Sequence, residues 1–360
     1  MTKSKPCLPT GKIKVGIFFG GDSSEKEVSL EGGRNVFLKM DEERYEKLPI
    51  FVDNDYKFWL IDEKLIIQNT TSDLTKLVTS SAKLIKYEDL KNTINFAFIV
   101  GHGKYMEDGC LQGLLELQKI PYNGPGILGS ALGANKLISR LMLKSNGIDV
   151  PKTLSLGFND WQNDQKTIIE LINKEFSYPI VVKPSREGCS TAITKVKSES
   201  ELDNAFKSAF KWDKIILVEE FLSGKELTVS VLGNRDQQAL PVTETPRSGA
   251  KDYLTLEDKF LPGGAEMITP AKISNDDTKK AQGTAVKVCK TLDLIGYPRI
   301  DMFLTDDNRL VVLEANTLPG ITPSTMIFHQ AAEIDLSPTD YISRIIELGL
   351  EAHKGKKGPL

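Results

Sequence analysis

Two carboxylates and an amide toward the C-terminal end are the residues whose types and spacing point most directly to chemistry. Arg299-Ile300-Asp301 opens one apolar run and Leu313-Glu314-Ala315-Asn316 closes another, with Asp306-Asp307-Asn308 between them. The apolar, β-branched runs predict two strands and the polar trio predicts the turn of a hairpin. Side chains alternate along a strand, so Arg299 shares a face with Asp301, and Glu314 shares one with Asn316. Counting outward from the turn sets Asp301 roughly opposite Glu314. Oxygen donors gathered in this way suit Mg²⁺, which prefers carboxylates shared with substrate phosphates to an all-protein cage. A hairpin with solvated polar ends satisfies the same pattern, so the rest of the chain must decide.

A second group suits phosphate. Lys183 ends an apolar run, and Pro184-Ser185-Arg186-Glu187-Gly188-Cys189-Ser190 follows. Backbone N–H groups of such a turn can face an anion; a plain surface turn is the alternative. Further on, Leu217-Val218-Glu219-Glu220-Phe221-Leu222-Ser223-Gly224-Lys225-Glu226 passes from strand to turn. A strand end can hydrogen-bond an adenine edge, and an acid shortly after can hold ribose hydroxyls; a solvated turn is again the bland alternative. No GxxxxGK[ST] occurs, which removes a P-loop. Gly124, Gly126 and Gly129 spell GxGxxG, with Asp149 about twenty residues on, as in a dinucleotide fingerprint. The run before it is short and contains Pro121, Pro125 interrupts the turn, and Asp149 begins an extended run instead of ending one. The fingerprint therefore reads as a decoy, and a dinucleotide-dependent oxidoreductase stands as the rival from another class.

Several elements must position these residues. Residues 12–19 read as a buried strand, and Ser24 with Glu27 has the spacing of a capping box, which predicts a helix to about Met40. Strand-like runs at 48–52, 58–61 and 96–100 predict an open α/β domain over 12–135. A helix over 131–145 leads into a second unit, 136–220, with strands at 179–183 and 215–219. A third unit, 221–350, holds a strand at 226–232 and the hairpin. Residues 243–271 are rich in glycine, proline and charge without a period, which predicts a functional lid.

Bulk properties narrow the function classes. The 360 residues are 40% hydrophobic and 26% charged with a net charge of −3, enough for two or three domains. That balance gives no footprint for nucleic acid or an anionic membrane, and no apolar run is long enough to span a bilayer. The first eleven residues lack the apolar stretch of a secretory signal. Cys7, Cys110, Cys189 and Cys289 have no metal spacing and suit a reducing cytoplasm.

In their order and spacing these segments resemble the D-alanine–D-alanine ligase family of the ATP-grasp superfamily, over about residues 14–350. The likeness rests on Phe19-Gly20-Gly21-Asp22-Ser23-Ser24-Glu25-Lys26-Glu27-Val28-Ser29, on Gly101-His102-Gly103 with Glu107-Asp108-Gly109-Cys110-Leu111-Gln112-Gly113, on residues 183–188, on Arg299-Ile300-Asp301, and on Leu313-Glu314-Ala315-Asn316-Thr317-Leu318-Pro319-Gly320. It implies an ATP-grasp fold: an N-terminal open α/β domain followed by two α+β subdomains that enclose ATP. It implies ATP-dependent joining of two D-alanines through D-alanyl phosphate, for peptidoglycan precursors. Lys136 and Lys183 would contact ATP phosphates, Glu219, Phe221 and Leu222 would line the adenine site, and Glu226 would hold the ribose. Asp301, Glu314 and Asn316 would hold two Mg²⁺ or Mn²⁺ ions, and Lys259 in the lid would reach the transferring phosphate. Glu25 would hold the first D-alanine's ammonium, with His102 in the same pocket. Arg299 and Gly320 would stabilise the oxyanion, an ion pair from Arg299 to Glu314 being the alternative. A cytoplasmic homodimer without nucleic-acid or membrane partners is implied by the same likeness.

The chain departs from the family pattern at three positions. Cys189 and Phe260 stand where serine and tyrosine hydroxyls usually join the residue at Glu25 in closing the lid; Ser190 can substitute in part. Thr325, next to Met326, replaces a serine that binds the second substrate's carboxylate. Phenylalanine at the lid also occurs in relatives that join D-alanine to D-lactate, so a depsipeptide ligase is the alternative within the fold. A non-catalytic nucleotide-binding regulator is a further rival.

Overall fold

The apolar runs become strands of three separate sheets in a computed structural model whose described residues are 11–186, 192–246 and 267–355. In the first sheet β1 (Ile13–Gly20) is flanked in parallel by β2 (Tyr45–Val52) and β5 (Phe96–Ile99). Short antiparallel strands β3 (Phe58–Leu60) and β4 (Lys83–Ile85) complete the order β4-β3-β2-β1-β5. Val15, Ile17, Phe18 and Phe19 on β1 are wholly buried, as a central parallel strand covered on both faces requires.

The helix after β1 spans Lys26–Lys39, but the expected capping box does not form. Its N-cap is Glu25, whose side chain makes no cap bond, and Ser23 Oγ accepts from the Glu25 N–H at 3.2 Å. Glu27 turns away to accept the N–H and hydroxyl of Thr71 at 3.0 and 2.7 Å. A partner distant in sequence offers this carboxylate two donors, against the single backbone N–H of the local motif. Glu25 is thereby left facing a cavity.

The second sheet is antiparallel, with β6 (Thr153–Gly157), β7 (Ile180–Pro184), β8 (Thr194–Val196) and β9 (Ile215–Glu220) in the order β6-β9-β7-β8. Trp161 and Phe206, from two helices packed on it, meet edge to face at 4.7 Å. The third sheet has β10 (Gly224–Leu232), β11 (Gln238–Ala239), β12 (Thr243–Thr245), β13 (Arg299–Thr305) and β14 (Leu310–Asn316). Its order is β11-β10-β13-β14, with β12 also on β10. The Asn275–Thr291 helix buries Ala281, Ala285, Val288 and Cys289 in the core of this unit.

The single helix expected over 131–145 is instead two, Ile127–Ala134 and Lys136–Ser145. Asn135 adopts an extended conformation between them, and its side chain accepts from the Ile138 N–H at 3.2 Å. The break re-aims the second helix so that Lys136 stands at its first turn.

Packing accounts for two glycines of the apparent fingerprint. A Cβ on Gly129 would lie 2.4 Å from the Asp293 carbonyl oxygen, and one on Gly124, at φ +84°, would lie 2.4 Å from Leu318 Cδ2. Asp149 is engaged with the third sheet, its carbonyl accepting from the Val312 N–H at 2.9 Å. A backbone oxygen cannot rotate aside as a flexible side chain can, so Gly129→Ala is expected to destabilise the fold by about 1–3 kcal/mol. Urea unfolding measures this, and a wild-type midpoint would show that the turn yields without cost.

Candidate active site

The three units border a cavity of about 670 Å³. Its wall includes Glu25, His102, Glu107, Lys136, Arg299 and Glu314. In the hairpin Asp301 faces Glu314 and Arg299 faces Asn316, because a bulge between Asp301 and Met302 shifts by one the register that pairs Met302 with Val312 nearer the turn. Arg299 places its fork on Asp301, Nε to Oδ1 at 3.0 Å and Nη2 to Oδ2 at 2.8 Å. Asp301 also accepts from Thr228 Oγ1 at 2.9 Å and Asn316 Nδ2 at 3.1 Å. Asp301 is only 5% exposed, and these donors offset the cost of burying its polar oxygens. Across the ladder, Glu314 pairs with Lys136 Nζ at 3.3 Å. Asp301, Glu314 and Asn316 thus form an all-oxygen donor set on adjacent strands beside the cavity, which fits a hard divalent cation and not a soft one.

Lys183 and Glu219 are both buried and pair at 3.0 Å across β7 and β9. Burial pulls the Lys183 amine down to about 8 despite the nearby Glu219. Burial alone would raise the Glu219 carboxyl, but the charges of Arg140 and Lys183 hold it below its ordinary value. Arg140, which sequence reasoning missed, is 3% exposed and forms an ion pair with Glu219. Its guanidinium also donates to Thr153 Oγ1 at 3.1 Å and to the Leu313 carbonyl at 3.0 Å. The available signal was its position four residues after Lys136, which puts both cations on one helix face.

Of the other expected nucleotide contacts, Phe221 carries Lys195 Nζ over its ring at 4.0 Å. Leu222 is buried with Phe303 and Val311, and Glu226 sits on β10 in register with Phe303 and Thr245.

At the other end of the cavity, one donor atom each from Glu25, His102 and Glu107 lies within 4.8 Å of the others. Burial lowers the His102 pKa and favours the neutral ring. Its Nε2 has no hydrogen-bond partner among the described residues. Glu107 accepts from the Gly103 N–H at 2.7 Å and lies 4.0 Å from His102 Nδ1. Burial, with the Glu25 charge beside it, pushes the Glu107 carboxyl up to about 8. Glu107 lay in a recognised stretch of sequence, but nothing local marked it as part of the pocket.

Gly320 borders the cavity. Thr325 and Met326 are buried at the start of the Met326–Ala332 helix and are not on the cavity wall. Cys189, Ser190, Lys259 and Phe260 lie outside the described residues.

Comparison with known proteins identifies the family to which the chain belongs. The family model described as D-ala D-ala ligase C-terminus matches residues 142–347, and that described as D-ala D-ala ligase N-terminus matches 14–125. The D-alanine--D-alanine ligase of Carboxydothermus hydrogenoformans is 36% identical over 346 residues, covering 95% of this chain and 100% of that protein. That of Bacillus cytotoxicus is 33% identical over 358 residues, covering 96% and 98%. Among solved structures, the D-alanine-D-alanine ligase from Coxiella burnetii superposes with a TM-score of 0.82 at 28% identity, over 96% of both chains. The VanG D-Ala:D-Ser ligase from Enterococcus faecalis gives 0.80 at 29% identity, covering 94% of this chain and all of the other.

Removing the guanidinium at Arg140 leaves a buried acid short of its main counter-charge. Arg140→Met is therefore expected to cost about 3–5 kcal/mol, and Arg140→Lys less, since it keeps the charge but loses the fork. Chemical denaturation compares the two, and an unchanged midpoint for the methionine variant would reject the assignment.

Proposed function

Because the chain belongs to the D-alanine–D-alanine ligase family, we propose that this cavity joins two D-alanines at the expense of ATP. The γ-phosphoryl group passes to the carboxylate of the first D-alanine, giving D-alanyl phosphate and ADP. The amine of the second D-alanine then displaces phosphate and yields the dipeptide used in peptidoglycan precursors. The observation that carries this reading is the Asp301–Glu314 ladder pair, with Lys136 on Glu314 and Arg299 on Asp301.

Phosphoryl transfer depends mostly on positioning and charge neutralisation. Lys136 and Lys183 take the ATP phosphates in this reading, Glu219, Phe221 and Leu222 border the adenine, and Glu226 holds the ribose. Asp301, Glu314 and Asn316 would hold Mg²⁺ or Mn²⁺, which when bound supplies charge neutralisation at the phosphates. Glu25 and His102 orient the first D-alanine. Arg299 and the Gly320 N–H favour the tetrahedral oxyanion, and Thr325 with Met326 borders the second substrate. Lys259 and Phe260, with Cys189 and Ser190, belong to the closing segments that keep water from the acyl phosphate. The division at 12–135, 136–220 and 221–350, with a lid at 243–271, belongs to the same proposal. So does a cytoplasmic homodimer. No helix among the described residues is long and apolar enough to cross a membrane.

Curated relatives carry the D-alanine--D-alanine name, which favours D-alanine over D-lactate as the second substrate. Incubation with ATP, Mg²⁺ and D-alanine, with and without D-lactate, should give D-alanyl-D-alanine as the main product by mass. A predominantly depsipeptide product would overturn that choice. Asp301→Asn and Glu314→Gln should each lower kcat/KM by about 10²–10³-fold, the loss of several kcal/mol of transition-state stabilisation. Wild-type rates of ADP release in either variant would remove the hairpin from the mechanism.

A further inference from the structure

Glu107 has an unusual position for a carboxylate at the wall of an amino-acid pocket. One of its oxygens accepts the Gly103 N–H at 2.7 Å. A donor atom of Glu25, a second acid from the start of the first helix, lies within 4.8 Å. Glu25 and Asp108 disfavour a charge on Glu107, while Lys136 favours one at longer range. Tyr297 also faces it, its hydroxyl accepting from Asn123 Nδ2 at 2.9 Å. His102 does not balance the acids, because burial and the Arg299 charge keep the ring neutral. Two neighbouring acids beside a neutral imidazole leave the pocket short of positive charge.

This inference rests on the reading that Glu25 receives the first substrate's ammonium group. We propose that Glu107 carries a proton in the substrate-free pocket and gives it up to solvent when that ammonium group docks between Glu25 and Glu107. The O–H bond of the Glu107 acid breaks, its electron pair stays on the carboxylate, and the ammonium charge replaces the proton. Nothing is oxidised or reduced. The displacement of Glu107 to about 8 gives it a proton to lose at neutral pH. His102 Nε2, buried and without a partner among the described residues, offers the ammonium a third acceptor when Nδ1 carries the ring proton. Binding at the first site is then linked to proton release, and a cation is selected by two acids whose oxygens lie within 4.8 Å of each other.

Linkage fixes the sign. Binding that expels a proton strengthens as pH rises while Glu107 is protonated, and the dependence stops once Glu107 ionises without ligand. Affinity for the first D-alanine should improve about tenfold per pH unit below about pH 8 and level off above it. Calorimetry of D-alanine binding to the full-length enzyme with Mg²⁺ and a non-hydrolysable ATP analogue, in phosphate and in Tris, counts the protons. At about pH 7 the wild type should release about one proton more than Glu107→Gln. The wild-type count should also fall between about pH 7 and pH 9, a readout that does not depend on how the variant folds. Equal counts in the two proteins, or a wild-type count constant over that range, overturn the proposal. Glu25→Gln tests the premise separately. If it binds D-alanine as the wild type does, the ammonium site is misplaced whatever the proton count at Glu107.

Discussion

Two carboxylates, Glu219 and Asp301, are withdrawn from water, and each is held by an arginine, Asp301 by both prongs of Arg299 and Glu219 by one nitrogen of Arg140. A buried carboxylate without a counter-charge costs several kcal/mol, so these pairs constrain where the surrounding strands can lie. The Glu219 pair is the more consequential because its arginine comes from a third element. Arg140 stands one turn beyond Lys136, whose amine meets Glu314. One helix face therefore reaches Glu219 on the second sheet, and Leu313 and Glu314 on the third. The second and third sheets are held in register by charge on a helix that belongs to neither.

The hairpin was legible because an antiparallel ladder has a side-chain period of two and a turn fixes its register. Counting outward from Asp306-Asp307-Asn308 set Asp301 roughly opposite Glu314 without any knowledge of the fold. The count did not reveal the bulge after Asp301, which shifts the β13–β14 pairing by one residue and sets Glu314, not Leu313, opposite Asp301. The order of strands in the first sheet was less accessible, since β1 sits between partners far apart in the chain.

Signals that compete over distance were the ones misread. Ser24 and Glu27 had the local spacing of a cap, yet Glu27 finds two donors on Thr71. The division of one helix into two did have a local signal, because Asn135 is a favourable cap residue immediately before Lys136. Glu107 had none, and Arg140 had only its spacing of four residues from Lys136. A charged residue on a helix or loop ordinarily reads as solvated, and only the approach of Glu219 or Glu25 makes these two part of a buried cluster. Their identification needs tertiary structure, however good the local reading.

The charges also give the cavity a direction. Glu25 and Glu107 line one end of its wall, while Lys136 and Arg299 lie toward the hairpin. Zwitterionic D-alanine entering such a field turns its ammonium toward the acids and its carboxylate toward the cations. In the proposed reaction the carboxylate attacks phosphorus, so the orientation favoured by the field is also the reactive one. Positioning of this kind lowers the barrier by removing rotational freedom before the chemical step. Arg299 stands at the boundary, anchored by Asp301, while burial, aided by its charge and opposed by that of Glu25, lowers the His102 pKa. Were His102 cationic, it would repel the ammonium group that Glu25 attracts. Burial of the imidazole therefore preserves the polarity of the amino-acid pocket, and the guanidinium that stabilises the hairpin adds to that effect.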